Sequence, residues 1–299
     1  MTDRTKGILC ILASAFGFAL MAMFVRLCDD FGAPVSSFQK SFFRNVIALA
    51  IALTVFVRGL RRFRGFREFR GLRGFGGLRS WGGWGALILR AVLGTVGIFA
   101  NFYALSHITI AEGQTLNKTA PFFTVLFAWL FLGEKANRRQ VVTLLLAFVG
   151  VIFIAKPGFA GSAAFPLAMG LLGGMCAGGA YACVRKLGLL GVNGAFIILF
   201  FSVFSCLASV PFMLHRFDPM TWGQVLALLG AGAGAAIGQF GITAAYRFAA
   251  PKQIAVFDYS NILFTAAFGF LLFGQVPDLL SVLGFAIILA AALRMRGHR

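Results

Sequence analysis

Hydrophobic residues in this chain are gathered into long runs, and the polar stretches between the runs are mostly short. The length of each run is close to the roughly 20 residues that an α-helix needs to cross a hydrocarbon core. The one long polar connection is a basic segment at residues 58–80. The pattern predicts ten membrane-spanning helices, near residues 7–27, 38–57, 83–104, 109–131, 140–156, 166–186, 193–214, 223–246, 252–273 and 279–295.

Composition agrees with this prediction. Hydrophobic residues make up 60% of the 299 positions and charged residues 12%, whereas soluble domains are roughly 45–50% apolar with Gly included. A soluble globule cannot bury that much apolar surface, so we expect an all-α integral membrane protein. Four of the five Cys lie inside apolar runs, which favours small buried side chains over a disulfide framework. The spacing of His, Cys and carboxylates indicates neither a metal site nor a cofactor.

Positive charge is distributed unequally between the two sets of loops. Lys and Arg concentrate at both termini, in the 58–80 segment and in the loops at Lys135 and Arg247, while the opposite loops hold only Lys156 and Arg216. Cytoplasmic loops of membrane proteins carry such an excess. We therefore expect both termini in the cytoplasm and a multi-pass protein of a bacterial-type cytoplasmic (inner) membrane.

The formal net charge of +18 would suggest nucleic acid as a partner of a soluble protein. Here the arginines of the 58–80 segment follow a helix that is predicted to end in the cytoplasm. In that position they set topology and attract anionic lipid headgroups. We expect membrane lipids and a small-molecule substrate as partners, without nucleic acid, and a monomeric protein.

An internal repeat divides the chain into two halves. A shift of 141 positions brings Trp81-Gly82 onto Trp222-Gly223, and a shift of 159 positions in the first helices brings Val25-Arg26 onto Val184-Arg185. The sequence thus predicts one five-helix unit at 1–156 and a second at 157–299.

Five is an odd number, so the second unit must be inserted upside down relative to the first. The loops follow this rule, because the segment after Gly133 is basic and its repeat partner after Gly274 lacks Lys and Arg up to Asp278. Inverted repeats are common in secondary transporters, whose substrate site lies near the membrane midplane between the repeats.

Two motifs resemble those of the drug/metabolite transporter superfamily, EamA type. They are Pro121-Phe-Phe-Thr-Val-Leu-Phe-Ala-Trp-Leu-Phe-Leu-Gly-Glu134 and the segment Ala245-Tyr-Arg-Phe-Ala249. The chain is most similar to the amino-acid exporter branch, which includes aromatic amino acid exporters. The resemblance implies a ten-helix carrier with a central cavity between its halves. The second repeat departs from the pattern, with Ile262 in place of the proline and Gln275 in place of the glutamate.

Ionisable residues deep in a membrane are costly, and each is a candidate for function. Lys118 lies midway along the predicted fourth helix, and Asp258 lies midway along the ninth, at the repeat partner of Asn117. Pro121 lacks an N–H and frees the carbonyl of Asn117. Either the two charges bind the substrate, or they form an ion pair that holds the halves together.

Other polar residues within the runs either bind the substrate or bond neighbouring helices. Arg44 and Arg90 are placed too deep to reach the interface easily. The predicted substrate-binding residues are Lys118, Asp258, Gln114, Asn117, Tyr259, Tyr246, Gln239, Arg90 and Tyr181.

These features predict a secondary transporter that exports small polar metabolites by alternating access. One buried cation and one buried anion favour a zwitterion, and hence amino acids, aromatic ones included. A cavity dominated by Lys118, Arg44 and Arg90 would instead suit anionic metabolites such as sugar phosphates or nucleotide sugars. An integral membrane enzyme is the alternative of another class, but the sequence lacks a recognisable catalytic set.

Overall fold

The structure is a computed structural model that describes residues 2–33, 35–61, 81–108, 110–155, 164–215, 217–274, 276 and 278–296. These residues are helical, with no strand among them. The basic segment at 62–80, Lys156, Arg216 and Gln275 lie outside the described residues. The helices are α1 (Asp3–Asp30), α2 (Ser37–Arg61), α3 (Trp81–His107), α4 (Ile110–Asn117), α5 (Ala120–Leu132), α6 (Arg138–Ala155), α7 (Ala164–Leu189), α8 (Gly194–His215), α9 (Trp222–Phe248), α10 (Pro251–Ile254), α11 (Ser260–Phe273) and α12 (Leu279–Arg296).

Eight helical segments in the described part of the chain are long and apolar enough to cross a membrane. They include the whole of α1 and α9, and also Thr115–Leu132 and Pro251–Leu272, which each extend over more than one element. A shorter apolar helix covers Leu279–Arg294. The prediction of an all-α, multi-pass membrane protein is confirmed, while ten spans in two inverted units remain a prediction.

The predicted fourth helix is interrupted in its middle. α4 ends at Asn117, and α5 begins at Ala120 with Pro121 in its first turn. Between them the backbone tightens, because the N–H of Thr119 donates to the carbonyl of Leu116 at 3.1 Å. The Thr119 hydroxyl donates to the same carbonyl at 2.6 Å. Lys118 lies in this break.

The predicted ninth helix is interrupted as well, which its sequence did not indicate. A single helix is expected at 252–273, but α10 and α11 are separated by a 3₁₀ turn at Ala255–Tyr259. No proline causes this break. The Ser260 hydroxyl instead donates to the carbonyl of Phe257 at 2.7 Å, a local bond that competes with regular helix pairing. Asp258 lies inside the 3₁₀ turn.

The helices pack in pairs that join the first half of the chain to the second. α1 packs on α9, α3 on α7, α2 on α8, and α6 on α12. The first pair is very close, because a Cβ added at Gly234 would lie 2.7 Å from the backbone nitrogen of Met21 and 2.9 Å from the carbonyl of Gly17. The Ser14 hydroxyl also donates to the carbonyl of Gly238 at 2.8 Å. Small residues and interhelical hydrogen bonds are the usual means of helix association in membranes.

Polar contacts fasten the bundle at the end where Asp218 lies, here named the Asp218 end. The side chain of Asp218 accepts from the N–H of Ser36 at 2.8 Å. Its carbonyl accepts from the Gln39 amide at 2.9 Å, and its N–H donates back to Gln39 at 3.0 Å. Gln224 donates to the carbonyl of Ala33 at 2.8 Å. The α1–α2 connection is thereby joined to the α8–α9 connection.

The close approach of α1 and α9 gives a prediction about stability. Gly234→Leu should lower stability by about 1–3 kcal/mol or more, because the new side chain collides with backbone atoms of α1 that cannot move alone. Gly85→Leu is the matched control, since a Cβ there meets no described atom within 4 Å. Thermal unfolding of both variants in detergent measures the effect. Equal unfolding temperatures would contradict the close packing.

Candidate functional site

Lys118 and Asp258 meet at the two helix breaks. The Lys118 Nζ lies 3.9 Å from the Asp258 Oδ2. Both residues are nearly buried, with 9% of each exposed. Broken helices at the membrane midplane are the places where secondary transporters present polar groups to substrates and ions. The two predicted residues are therefore brought together, at a position suited to binding.

The contact between the two charges is an attraction without a hydrogen bond. Charge-assisted hydrogen bonds are about 2.7–2.9 Å long, so the 3.9 Å between Lys118 and Asp258 is too long for one. Two charges about 4 Å apart attract by about 4 kcal/mol at an effective dielectric constant of 20. Inserting one charged residue at the centre of a membrane helix costs about 2.5–3.5 kcal/mol. The attraction therefore offsets the burial of one of the two charges but not of both, and the pair still has donors and acceptors available for a ligand.

Three tyrosines surround Asp258. Tyr181, Tyr246 and Tyr259 all lie within electrostatic range of its carboxylate. The rings of Tyr181 and Tyr246 are 5.6 Å apart between centroids. The Tyr246 hydroxyl is hydrogen-bonded to Thr124, whereas the Tyr259 hydroxyl is buried and has no partner in the described part of the chain. An unsatisfied buried hydroxyl beside a carboxylate is available to a polar ligand.

Arg90 and Gln239 are bonded to each other. The Arg90 guanidinium donates to the Gln239 Oε1 at 3.1 Å and lies 4.1 Å from the centre of the Phe201 ring. Arg90 and Asp258 both act on Tyr181. The predicted Arg90, Gln239 and Tyr181 thus adjoin the region of Lys118 and Asp258.

The glycines of α7 allow the broken helix to approach this region. A Cβ added at Gly174 would lie 2.6 Å from the carbonyl of Leu116, and one at Gly178 would lie 2.8 Å from the carbonyl of Ala120. These two carbonyls flank the break that holds Lys118. A larger residue at Gly174 or Gly178 would therefore collide with the backbone on either side of Lys118.

Two further predicted residues, Asn117 and Gln114, lie in α4. Asn117 is half-buried and adjoins Lys118 at the end of α4. Gln114 lies in α4, and its side chain is outside the described part of the structure. Sequence reasoning missed Thr124 and Phe201, which position Tyr246 and Arg90. Neither residue is ionisable, so no signal in the sequence separates them from other core residues.

The sequence of this chain is similar to those of known membrane transporters. The profile of the EamA-like transporter family matches residues 5–156. The chain is 29% identical over 295 residues to the pseudopaline exporter CntI of Pseudomonas aeruginosa, covering 97% of this chain and 95% of that protein. It is 27% identical over 262 residues to a riboflavin transporter of Brucella anthropi, covering 85% of each.

A crystal structure of another protein shares the fold. Its TM-score is 0.75 at 17% sequence identity, and the match covers 95% of this chain and 96% of that chain. The apolar helices, the polar groups at two broken helices and these relatives define a membrane transporter and not an enzyme. The chain belongs to the EamA-like transporter family, within the drug/metabolite transporter superfamily.

The ion pair gives a prediction about stability. Lys118→Met and Asp258→Asn should each lower the thermal stability, because each leaves one buried charge without its partner, a loss of up to about 3–5 kcal/mol. The double variant should recover most of the loss, since neither charge remains. Thermal unfolding of the two single variants and the double variant measures the coupling. Additive losses in the double variant would show that the two charges do not interact.

Proposed function

We propose that this protein is a secondary carrier that exports small polar metabolites, and that amino acids, aromatic ones included, are its substrates. The observation that carries the proposal is the pair of opposite charges at the two helix breaks, 3.9 Å apart and without a mutual hydrogen bond. A zwitterion offers a carboxylate to Lys118 and an ammonium group to Asp258. Each buried charge then gains a charge-assisted hydrogen bond.

The aromatic surroundings support the same substrate class. Tyr181 and Tyr246 lie within electrostatic range of Asp258, and their rings are in contact, with centroids 5.6 Å apart. A ring is attracted to an ammonium group placed over it, and aromatic pairs favour offset or tilted contacts. An amino acid with an aromatic side chain can use both properties.

The two-unit architecture proposed from the sequence is supported by the packing. Shifts of 141 and 159 positions take Gly97 to Gly238 and Ser14 to Gly173. Ser14 bonds the carbonyl of Gly238, and a Cβ at Gly173 would lie 3.2 Å from the carbonyl of Gly97. The contact of α1 with α9 thus has a counterpart between α7 and α3. We propose inverted units at 1–156 and 157–299 that enclose the site.

Alternating access is supported by a polar contact at the opposite end from Asp218, here named the Glu134 end. The Glu134 Oε1 accepts from the Arg185 Nε and lies 2.8 Å from it, and Arg185 also donates to the carbonyl of Tyr246 at 3.4 Å. Lys252 donates to the carbonyl of Lys135 at 3.0 Å. We propose that this end faces the cytoplasm of a bacterial-type inner membrane and that these contacts break when the site opens there.

Tyr246 connects the contacts at the Glu134 end to the site. Its backbone carbonyl contacts Arg185, and its ring contacts Tyr181 beside Asp258. A substrate that displaces the ring therefore also disturbs the contact at the Glu134 end. Interfaces of this kind have two discrete arrangements, and that property converts a local shift into an opening.

Anionic metabolites, such as sugar phosphates or nucleotide sugars, are the second candidate class. Arg44 and Arg90 favour them, since both are buried near the same site. A zwitterion has no net charge and would leave these two arginines without a counter-charge, because Asp258 is the one buried acid described near them.

Transport by reconstituted protein tests the proposal. Liposomes that contain the protein are loaded with one unlabelled amino acid, and uptake of the labelled form is measured by counterflow. We expect saturable uptake for at least one amino acid in wild-type protein and at least a hundredfold loss in the double variant Lys118→Met with Asp258→Asn. Lys6→Met is the control, because 43% of the Lys6 side chain is exposed and it pairs with Asp3 at the N-terminus.

Two results would contradict the proposal. One is uptake no faster than in protein-free liposomes for every amino acid tested, in a preparation whose unfolding temperature shows that the protein is folded. The other is wild-type uptake by the stable double variant, which would limit Lys118 and Asp258 to holding the helices together.

A further inference from the structure

Arg44 and Arg90 form a second group of buried charges beside the site. Arg44, on α2, is 9% exposed, and Arg90, on α3, is 2% exposed. The two guanidinium groups lie within electrostatic range of each other and repel. The residue after Arg44, Asn45, donates to the Ser205 hydroxyl at 2.9 Å, and Ser205 lies one helical turn from Phe201, whose ring the Arg90 guanidinium contacts. Tyr181 lies within electrostatic range of both arginines and of Asp258.

Neither arginine has an acidic partner among the described residues. Arg90 uses one N–H for the Gln239 Oε1 and lays its plane over Phe201, and its Nε has no described partner. Arg44 has no hydrogen bond or ion pair to any described residue, and its Nε is likewise buried. Buried guanidinium groups are normally paired with carboxylates, often through two parallel hydrogen bonds.

The buried charges of this region are out of balance. Three cations, Lys118, Arg44 and Arg90, are buried with one described anion, Asp258. Asp258 already lies against Lys118, so it cannot neutralise the arginines. Uncompensated cations inside a membrane protein mark a pathway or site for an anion. Among the described residues the two arginines thus lack a counter-charge, which an anionic ligand would supply.

Two buried hydroxyl groups lie on the helices that carry Phe201 and Gln239. Ser202 adjoins Phe201 on α8, and Thr243 follows Gln239 by one turn of α9. Both hydroxyl oxygens are buried without a partner in the described part of the chain. Buried polar groups are rarely left unsatisfied, so these hydroxyl groups are available as donors to a polar ligand in this part of the bundle.

We infer that Arg44 and Arg90 form an anion subsite and that the substrate is an amino acid or amino-acid derivative with at least one carboxylate beyond its α-carboxylate. The inference rests on the proposed function and narrows it. The ammonium group lies at Asp258, one carboxylate at Lys118, and the additional carboxylate reaches past Tyr181 to the arginines. Phosphate offers a guanidinium similar geometry, so the test includes it.

The matched amino acids L-glutamate and L-glutamine test the inference, because they differ in one carboxylate at nearly equal size. We measure their effect on the thermal unfolding of purified protein and their competition in the counterflow assay. Wild-type protein should bind glutamate at least about tenfold more tightly than glutamine, the effect expected of one charge-assisted hydrogen bond. Inorganic phosphate at the same concentration should compete less than glutamate does.

Removal of the Arg44 charge should remove the preference for glutamate over glutamine. Arg44→Met should bind glutamate at least about tenfold more weakly and glutamine as before, while the empty protein keeps or gains stability because an unpaired buried charge is gone. Arg58→Met, at the exposed end of α2, is the control and should keep the preference. If the methionine variant does not fold, Arg44→Gln removes the charge and retains N–H donors for the same measurement.

Each other outcome has a definite meaning. Equal binding of glutamate and glutamine, or an unchanged preference in the Arg44 variant, contradicts the subsite while leaving an amino-acid carrier in place. Stronger competition by phosphate than by glutamate contradicts the carboxylate assignment. Transport of neither amino acid, together with transport of phenylalanine lost in the Lys118 and Asp258 double variant, contradicts the subsite but supports the proposed function.

Discussion

A charge inside a lipid bilayer needs a partner, and the centre of this protein is arranged around that requirement. Lys118 and Asp258 lie 3.9 Å apart because both helices that carry them are broken at the same depth of the bundle. In a continuous fourth helix, Lys118 would lie in regular helical backbone, without the break that places it opposite Asp258. The break between α4 and α5 and the 3₁₀ turn before α11 therefore serve one electrostatic contact.

The surrounding packing keeps that contact in place. Glycines on α7 let backbone atoms beside the break approach closely, and the Tyr246 ring is held by Thr124 on α5. The same tyrosine contacts Arg185 through its backbone, so the centre and the Glu134 end are mechanically connected. In a close-packed interior such connections transmit small shifts, because side chains have discrete arrangements rather than continuous ones.

The sequence predicted the membrane helices well because lipid imposes a simple rule on length and composition. It also predicted a perturbed helix beside Lys118, since Pro121 lacks an N–H and frees the carbonyl of Asn117, although the break between α4 and α5 was not predicted. The interruption at Asp258 was not predicted, because Ile262 stands where the first half has Pro121 and the 3₁₀ turn depends on tertiary packing. The meeting of Arg90 with Gln239 was equally hidden, since residues 149 positions apart carry no local signal of contact.

Relatives show that the scaffold does not determine the substrate. One similar protein is named as a pseudopaline exporter and another as a riboflavin transporter, although both align along most of this chain. A shared fold commonly hosts different ligands, and selectivity resides in a few polar groups of the site. In this protein we propose that those groups are Lys118, Asp258, the tyrosines near Asp258, and Arg44 with Arg90.

The most direct test of the account is whether substrate occupies the space at the two helix breaks. Asn117 is half-buried and adjoins Lys118, so Asn117→Cys in a protein without its five native cysteines reports on that space. The rate of its alkylation by a small maleimide is measured with and without a saturating transported amino acid. We expect substrate to slow labelling at least about tenfold, while Gly85→Cys, at an exposed position, reacts unchanged. An equal rate at Asn117→Cys with substrate bound would contradict it.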